Sequence, residues 1–428
     1  MTNQALKEED LKYIWHPCSQ MKDYETLPLV PIKSGKGVYL TDYDGNEYID
    51  AISSWWVNIF GHSNEYINSR VKEQLDTLEH VIFAGFTHEP AVRLSKRLIN
   101  LTASNLQKIF FADNGSSAVE IALKMAFQYH KNDGKVKDIF FSLKNSYHGE
   151  TLGALAIGDV ELYKDIYKDI MLKTVQVASP SLVDEDEAIE DFKKKLKEHE
   201  GRVSAIIIEP LVQCAGYMQM YDKSYIKKLK AICEEEGIFL IADEIAVGFG
   251  RTGELFVCDE EIKPDFLCLS KGLTGGYLPL SVVLTTNEVY QKFYCDYSEG
   301  KAFLHSHSYT GNPLGCAAAN ATLDIFENEN IIEKNRAKVK KLEELLEKFK
   351  SLLNVKEVRQ RGLIGAVELK GYKPEERIAL KVYDYALKNG VLLRPLGHVV
   401  YFMPPFVITD KELEKVVQVA YEAITTLP

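Results

Sequence analysis

Two glycine-rich stretches decide the fold: Gly237–Gly253, GIFLIADEIAVGFGRTG, and Pro264–Gly276, PDFLCLSKGLTGG. Each begins with an apolar run of strand length, and the two runs lead to Asp243 and Lys271. Their separation of 28 residues (271 − 243) suits one strand–connection–strand unit, which would place both side chains at the same end of one sheet. The sequence therefore predicts a carboxylate and an amine close together at a sheet edge.

A lysine at the end of an apolar strand can carry unusual chemistry. Desolvation lowers the pKa of its amine and frees it to act as a nucleophile. A buried carboxylate needs a partner because an unpaired buried charge is costly, and strand-end carboxylates commonly face a ligand crevice. The alternative for Lys271 is a structural lysine whose stem is buried and whose ammonium group reaches solvent.

Further apolar runs of strand length occur on both sides of these stretches. The predicted strands are Lys108–Phe111, Asp138–Phe141, Ser204–Ile208, Ile238–Ala242, Phe266–Ser270 and Ser281–Thr285. Segments with helical periodicity separate most of them. This alternation predicts an α/β fold in which a mostly parallel sheet is covered by helices on both faces.

The two ends of the chain have a different pattern. Residues 29–52 alternate polar and apolar around Asp44-Gly45-Asn46, which predicts a β-meander. After about Ala317 a long helical stripe is followed by short strands and another helix, which predicts a smaller α+β domain. We expect residues 61–320 to form the large cofactor-binding domain, residues 321–428 the small domain, and residues 1–60 to join the small domain.

Composition excludes several classes of protein. The chain has 428 residues, of which 46% are hydrophobic and 26% charged, so it is an ordinary globular protein. Its net charge of −11 does not suit a partner made of nucleic acid or an anionic membrane. Seven cysteines without C-x-x-C spacing predict neither a disulfide framework nor a metal site. The sequence contains no signal-peptide pattern and no apolar run of bilayer length, which predicts a cytoplasmic protein.

A candidate anion site lies in the segment FFADNGSSAVEIALKMAFQYH, residues 110–130. A predicted strand leads into a helix that starts near Gly115 and Ser116, and Ser117-x-x-Glu120 fits a capping box. Free backbone N–H groups and the positive end of the helix dipole attract anions at such a position. The alternative is an ordinary capped helix.

A nucleophilic lysine, a carboxylate and an anion site together match the needs of pyridoxal 5'-phosphate. The lysine forms the covalent link, the carboxylate keeps the ring nitrogen protonated, and the anion site holds the phosphate. An aromatic side chain is expected to stack on the ring, and Tyr147 in NSYHGET is the candidate. The alternative for Tyr147 and His148 is that both are core or loop aromatics.

Four ordered motifs resemble those of the class III (ω-type) aminotransferases, pyridoxal-phosphate enzymes of fold type I. They are NGSSAVEIALKMA, IADEIAVGFGRTG, LCLSKGLTGG and HSHSYTGNPLGCAAANA, and the similarity extends over nearly the whole chain. The resemblance implies that Lys271 is the Schiff-base lysine and proton shuttle and that Asp243 pairs with the ring nitrogen. It also implies that Gly115 and Ser116 hold the phosphate while Tyr147 stacks on the ring.

The resemblance further implies a second subunit and a substrate pocket. His307 and Ser308 would reach the phosphate in the neighbouring subunit, so the active unit would be a homodimer with composite active sites. Arg394 would bind the substrate carboxylate, for which the alternative is a surface salt bridge. Trp56 would wall the pocket beside the closer Trp55. The residues expected to contact the small-molecule substrate are Trp55, Tyr147, Ser306 and Arg394.

Within the class, SSWWVNIFGH, NSYHGETLG and VLLRPLGHVVYFMPP resemble the branch that acts in biotin synthesis. That resemblance implies transamination of 8-amino-7-oxononanoate to 7,8-diaminononanoate with S-adenosylmethionine as amino donor. Ala246 agrees with this branch, whereas ornithine- and GABA-type relatives carry glutamine there. Cys18 departs from the branch, which commonly has tyrosine there, and Ser306 and Ser308 depart mildly from the class motif His-Gly-His-Thr.

Four alternatives stay open at the level of sequence. Lysine could be the amino donor, or the enzyme could be a general ω-amino acid:2-oxoacid aminotransferase. An aminomutase of the same fold would need no external donor. A non-catalytic binding protein would not need both Asp243 and Lys271 to be buried.

Overall fold

The computed structural model describes residues 2–428. Its strands are β1 (Ile32–Lys36), β2 (Tyr39–Asp42), β3 (Glu47–Asp50), β4 (Leu106–Ala112), β5 (Ile139–Leu143), β6 (Thr174–Val177), β7 (Val203–Ile208), β8 (Val212–Gln213), β9 (Gln219–Met220), β10 (Phe239–Asp243), β11 (Phe266–Leu269), β12 (Ser281–Thr286), β13 (Val355–Arg361), β14 (Ile364–Leu369), β15 (Val391–Leu392) and β16 (Val399–Phe402).

The helices alternate with the strands through the middle of the chain. They are α1 (Asn3–Tyr13), α2 (Ser53–Trp56), α3 (Glu65–Leu75), α4 (Glu89–Leu101), α5 (Gly115–Asn132), α6 (Leu152–Ile157), α7 (Glu161–Lys164), α8 (Glu185–Glu198), α9 (Lys223–Glu236), α10 (Asn287–Gln291), α11 (Pro313–Glu329), α12 (Ile331–Leu346), α13 (Ala379–Lys388) and α14 (Asp410–Thr425).

Contacts divide the chain into two compact units. The larger unit is Tyr66–Glu333, and the smaller unit combines the residues up to Glu65 with Lys334–Pro428. The functional domain boundaries given above stay a prediction.

The larger unit is built on a seven-stranded sheet with the order β4-β12-β11-β10-β7-β5-β6. β12 runs antiparallel to both of its neighbours, and the other pairs are parallel. The prediction of a mostly parallel sheet is therefore confirmed. Asp243 pairs with Cys268 in the register of β10 and β11, so the carboxyl ends of these two strands lie side by side.

Burial of apolar strands and of helix α5 forms the core of this unit. All six residues of β7, VSAIII, are buried, as expected for a parallel strand covered on both faces. Burying one such isoleucine contributes roughly 2 kcal/mol relative to leaving it exposed. α5 packs its apolar face on the sheet through residues such as Ile121, Ala122 and Met125.

The smaller unit contains two sheets. β1, β2 and β3 form the antiparallel meander predicted from the sequence, and β15 adds to β3 in parallel. The pairing of Val391 with Ile49 thus ties the N-terminal strands to the C-terminal part of the chain. β13, β14 and β16 form the second, antiparallel sheet.

No helix within residues 2–428 has both the length and the apolar character needed to cross a membrane. Over the same residues, no group of three or more histidine, cysteine, aspartate or glutamate side chains is arranged to hold a metal ion.

Candidate active site

Lys271 lies directly after β11, where it begins the short 3₁₀ turn Lys271–Thr274. Its φ of 45° is in the left-handed region, which costs a residue with a side chain roughly 1 to 2 kcal/mol. A Cβ atom added at Gly272 would come within 3.0 Å of Phe249, so the turn is closely packed. Burial lowers the pKa of Lys271, while the nearby Asp243 and Glu209 act in the opposite direction.

Asp243 ends β10 and is 5% exposed. Its Oδ2 lies 2.7 Å from His148 Nδ1, and its Oδ1 accepts a hydrogen bond of 3.1 Å from Ile245 N. A carboxylate only accepts hydrogen bonds, so the imidazole donates from Nδ1 and its orientation is defined by Asp243. Sequence reasoning had treated His148 only as an aromatic neighbour of Tyr147.

Tyr147 lies in the segment between β5 and α6 and is half-buried. Its backbone N donates to Glu209 Oε1 at 2.8 Å, and its hydroxyl donates to Glu150 Oε1 at 3.0 Å. Its ring meets the ring of Tyr163 edge to face, with 5.7 Å between the centroids. Tyr147 and His148 are thus anchored at neighbouring strand ends, one by Glu209 and the other by Asp243.

Glu209 was missed by sequence reasoning. It follows β7 directly, and its Oε2 accepts a hydrogen bond of 3.0 Å from Cys214 N. Burial, together with the negative charge of Asp243, raises the pKa of Glu209 to about 8. The signal that could have revealed it is the run AIIIE, an apolar strand that ends in a carboxylate as IAD does at Asp243.

Gly115 and Ser116 begin α5, as the anion-site prediction requires. The predicted capping box is wrong: Asn114 is the N-cap, and its side chain accepts a hydrogen bond of 2.9 Å from Ser117 N. A Cβ atom added at Gly115 would lie 3.0 Å from Ile245, so the start of α5 lies against the residues that follow Asp243.

The loop residues Ser306, His307 and Ser308 stand apart from this cluster. Ser306 and Ser308 are exposed, and His307 is tied locally, its N donating to Thr310 Oγ1 at 3.2 Å. Within residues 2–428 these three residues make no hydrogen bond to Lys271, Asp243 or Ser116.

Two residues expected to contact the substrate, Arg394 and Trp55, come together in the smaller unit. The guanidinium carbon of Arg394 lies 4.9 Å from the ring centroid of Trp55, a cation–π geometry. Nη2 of Arg394 donates to the carbonyl of Cys18 at 3.2 Å. Arg394 makes this one hydrogen bond among the described residues, which leaves its other donors available to a carboxylate.

Trp55 belongs to a short turn with unusual backbone geometry. Ser53, Ser54, Trp55 and Trp56 have φ angles of 52°, 46°, 71° and 73°, so α2 is a left-handed turn. Trp56 is 4% exposed and its Nε1 donates to the Tyr401 hydroxyl at 3.0 Å, which favours a core role over that of a pocket wall. Trp55 is 38% exposed.

Asp50 holds this turn in place. It is fully buried, and its Oδ1 accepts from Ser54 N at 2.9 Å and from Ile52 N at 3.3 Å. Its Oδ2 accepts from Ser54 Oγ at 2.7 Å and lies 2.9 Å from His62 Nε2. Backbone strain of this kind persists only where the surroundings over-determine it, and it is frequent at functional sites.

The model of the family "Aminotransferase class-III" matches residues 20–424. The chain belongs to the class III aminotransferases. This membership confirms the predictions of an aminotransferase, of fold type I and of pyridoxal phosphate as the cofactor.

Relatives and solved structures agree with the family. An "Adenosylmethionine-8-amino-7-oxononanoate aminotransferase" of Helicobacter pylori is 51% identical over 98% of this chain and 97% of its own length. The crystal structure of the protein of that name from Methanocaldococcus jannaschii has a TM-score of 0.96 at 39% identity, covering 99% of both chains. A PLP-bound amine transaminase from an uncultivated Pseudomonas species has a TM-score of 0.90 at 29% identity, covering 97% of this chain and 99% of its own.

The residues of this class III aminotransferase fit the family's cofactor. The larger unit brings together a half-buried amine, a buried carboxylate and the N-terminus of a long helix, the set that pyridoxal phosphate needs. His148 Nε2 is buried and has no hydrogen-bond partner within residues 2–428. A Cβ atom added at Gly149 would lie 2.4 Å from Ser116 Oγ, so the segment after His148 approaches the start of α5 closely.

Proposed function

We propose that this class III aminotransferase converts 8-amino-7-oxononanoate to 7,8-diaminononanoate in biotin synthesis, with S-adenosylmethionine as amino donor. The observation that carries the proposal is the 51% identity, over nearly the full length of both chains, to a protein named for this reaction. The grouping of Trp55 with Arg394 supports it, because the acceptor substrate has an apolar chain that ends in a carboxylate. Arg394 binds that carboxylate, while Trp55, Tyr147 and Ser306 contact the rest of the substrate.

The cofactor is held by residues of the larger unit. Lys271 would form the covalent link to the cofactor, Asp243 would pair with the ring nitrogen, and Tyr147 would stack on the ring. The N-terminus of α5 at Gly115 and Ser116 takes the phosphate. Pyridoxal phosphate supplies the electron sink that accepts the electron pair when a C–H bond next to an amine breaks.

The protein's own part in the chemistry is mainly proton transfer and charge placement. Lys271, once its amine is free, would take up on Nζ the proton that leaves the carbon bearing the donor amine. A lowered pKa serves this role because only the neutral amine can take up a proton. The 2.7 Å contact between His148 and Asp243 fixes the two side chains relative to each other, so the carboxylate keeps one orientation.

We further propose a homodimer in the cytoplasm, in which His307 and Ser308 of each subunit reach the phosphate held by the other. The exposed loop that carries them supports this arrangement. Its neighbours Leu304 and Tyr309 are 90% and 65% exposed, and Ile82 and Phe86 are 58% and 62% exposed in the same unit. A second subunit packed on this loop would remove such apolar side chains from water, which stabilises an interface.

A half-reaction tests the choice of donor. The enzyme is loaded with pyridoxal phosphate, S-adenosylmethionine or lysine is added separately, and the loss of the yellow absorption of the bound cofactor is followed. Bleaching by S-adenosylmethionine alone is the expected result. Bleaching by lysine alone would identify lysine as the amino donor in place of S-adenosylmethionine. Bleaching by neither compound would favour a general ω-aminotransferase.

A product assay completes the test. Formation of 7,8-diaminononanoate from 8-amino-7-oxononanoate should depend on the added donor, whereas 2-oxoglutarate and pyruvate should not act as acceptors. Product formed without any donor would favour an aminomutase and contradict the proposal. A purified protein that stays colourless with pyridoxal phosphate would favour a non-catalytic binding protein.

A further inference from the structure

Glu120 lies on α5, five residues after Gly115, and one of its oxygens is surrounded by donors. Oε1 accepts hydrogen bonds from Thr151 Oγ1 at 2.7 Å, Gly153 N at 2.7 Å and Ala154 N at 3.1 Å. All three donors belong to the segment that follows Tyr147 and His148. A side chain of the phosphate-binding helix thus holds the segment that carries the candidate stacking ring.

These bonds replace a missing cap. Thr151 is the N-cap of α6, yet its side chain makes no capping hydrogen bond. The first N–H groups of a helix have no partner within the helix, and here a carboxylate from another helix satisfies two of them. A Cβ atom added at Gly153 would lie 2.3 Å from Glu120 Oε2, so a larger residue at position 153 would displace the Glu120 carboxylate.

Ser116 links the same segment to the first turn of α5. Its Oγ lies 2.7 Å from Thr151 Oγ1 and accepts a hydrogen bond of 3.0 Å from Thr151 N. The hydroxyl of Thr151 has a single proton, which it donates to Glu120, so it accepts from Ser116. Glu120 therefore sets the direction of a chain of hydrogen bonds that ends at a proposed phosphate-binding residue.

We propose that Glu120 is a positioning residue that clamps the segment carrying Tyr147 and His148 against the cofactor-binding end of α5. The inference rests on the proposed placement of the phosphate at Gly115 and Ser116. The segment is held at its other end by Glu209 and Asp243, through 2.8 Å and 2.7 Å contacts. Without Glu120 the segment keeps these anchors and the contacts of Thr151 with Ser116, but it loses three hydrogen bonds at the start of α6, and the Tyr147 ring loses its defined position.

Full-length protein with Glu120→Ala and Glu120→Gln tests the proposal, with Lys131→Ala as the matched control. Lys131 is an exposed residue near the end of the same helix, and its side chain lies outside the network. Three quantities are measured: the affinity for pyridoxal phosphate, the induced circular dichroism per bound cofactor, and the melting temperature of the cofactor-free protein.

Glu120→Ala should weaken pyridoxal phosphate binding about tenfold, the effect of losing hydrogen bonds to a charged group, and should remove most of the induced dichroism. Glu120→Gln keeps an oxygen at the same place and should restore most of both signals. Lys131→Ala should match the wild type. Thr151→Val removes the hydroxyl that contacts both Glu120 and Ser116 while preserving the shape of the side chain, and it should show a smaller loss. If Glu120→Ala does not fold, Thr151→Val takes its place, and unchanged affinity and dichroism in Thr151→Val would then overturn the proposal.

A lower melting temperature with unchanged affinity and unchanged dichroism would overturn the proposal, because a merely structural residue would behave in that way. The proposed reaction is judged separately, by the half-reaction with amino donors. If that assay fails while the Glu120 variants show the expected losses of affinity and dichroism, the proposed reaction is wrong and the role of Glu120 stands.

Discussion

Lys271 is the residue on which the proposed chemistry depends most directly. The φ angle of Lys271 lies in the left-handed region, and burial lowers the pKa of its amine. The strands that lead to Lys271 and Asp243 are adjacent and parallel, which is why two residues far apart in sequence lie at the same edge of the sheet.

Lys271→Ala should abolish steady-state transamination because it removes both the covalent link and the proton shuttle. Binding of the phosphate group should persist, since α5 is unchanged. Turnover and pyridoxal phosphate binding are measured together, with Lys131→Ala as the control. Retained turnover in Lys271→Ala would contradict the assignment.

Glu209 offers a prediction about pH. An ordinary glutamate ionises near pH 4.5, whereas Glu209 in the folded protein ionises near pH 8. Between these values the unfolded chain has released the proton that the folded chain keeps, so the stability contributed by Glu209 is present below about pH 4.5 and is lost as the pH rises toward 8.

Glu209→Gln keeps the shape of the protonated acid and cannot ionise. Its melting temperature should therefore rise relative to the wild type as the pH increases from 5 to 8, by an amount that corresponds to a few kcal/mol, since one pKa unit is worth about 1.4 kcal/mol. Glu200→Gln, at an exposed position, is the control. A constant difference across this range would show that the pKa of Glu209 is not raised.

At the scale of elements, the left-handed turn α2 depends on a single buried carboxylate. Four groups bind Asp50, and two of them are the backbone N–H groups of Ile52 and Ser54. This turn places Trp55 beside Arg394. The strained backbone of α2 is thus stabilised mostly by contacts within its own short segment of chain, between Asp50 and His62.

Asp50→Ala should lower the melting temperature by several degrees, corresponding to about 3 kcal/mol, because it leaves buried donors without an acceptor. Glu47→Ala is the matched control, since Glu47 lies on the same strand and is exposed. Equal melting temperatures for the two variants would show that the turn does not need Asp50.

At the scale of the whole molecule, the proposed composite sites predict complementation between inactive variants. In a heterodimer of Lys271→Ala with the double variant His307→Ala, Ser308→Ala, one site combines both changes and the other has neither. We therefore expect coexpressed, separately tagged subunits to regain activity that each homodimer lacks. Activity no higher than the sum of the homodimers would contradict shared sites, and sedimentation checks that the chain forms dimers.

Many elements of the fold and of the candidate site could be predicted from local patterns in the sequence. The apolar runs ending at Asp243 and Lys271, the glycine-rich start of α5 and the meander of the first strands were all readable, because periodicity and turn chemistry act over neighbouring residues. The four motifs in order then identified the family, and with it the cofactor. The predicted capping box failed because Glu120 finds better donors in a distant segment than at the start of its own helix.

The contacts that shape the site were decided only by tertiary structure. His148 meets Asp243 across 95 residues of chain, Tyr147 N meets Glu209 across 62, and Arg394 stacks on Trp55 from the other end of the sequence. No local pattern encodes such pairs, because each depends on which strand ends become neighbours and on how side chains pack there. The sequence determined the elements and the chemistry they carry, and packing decided which side chains hold them in place.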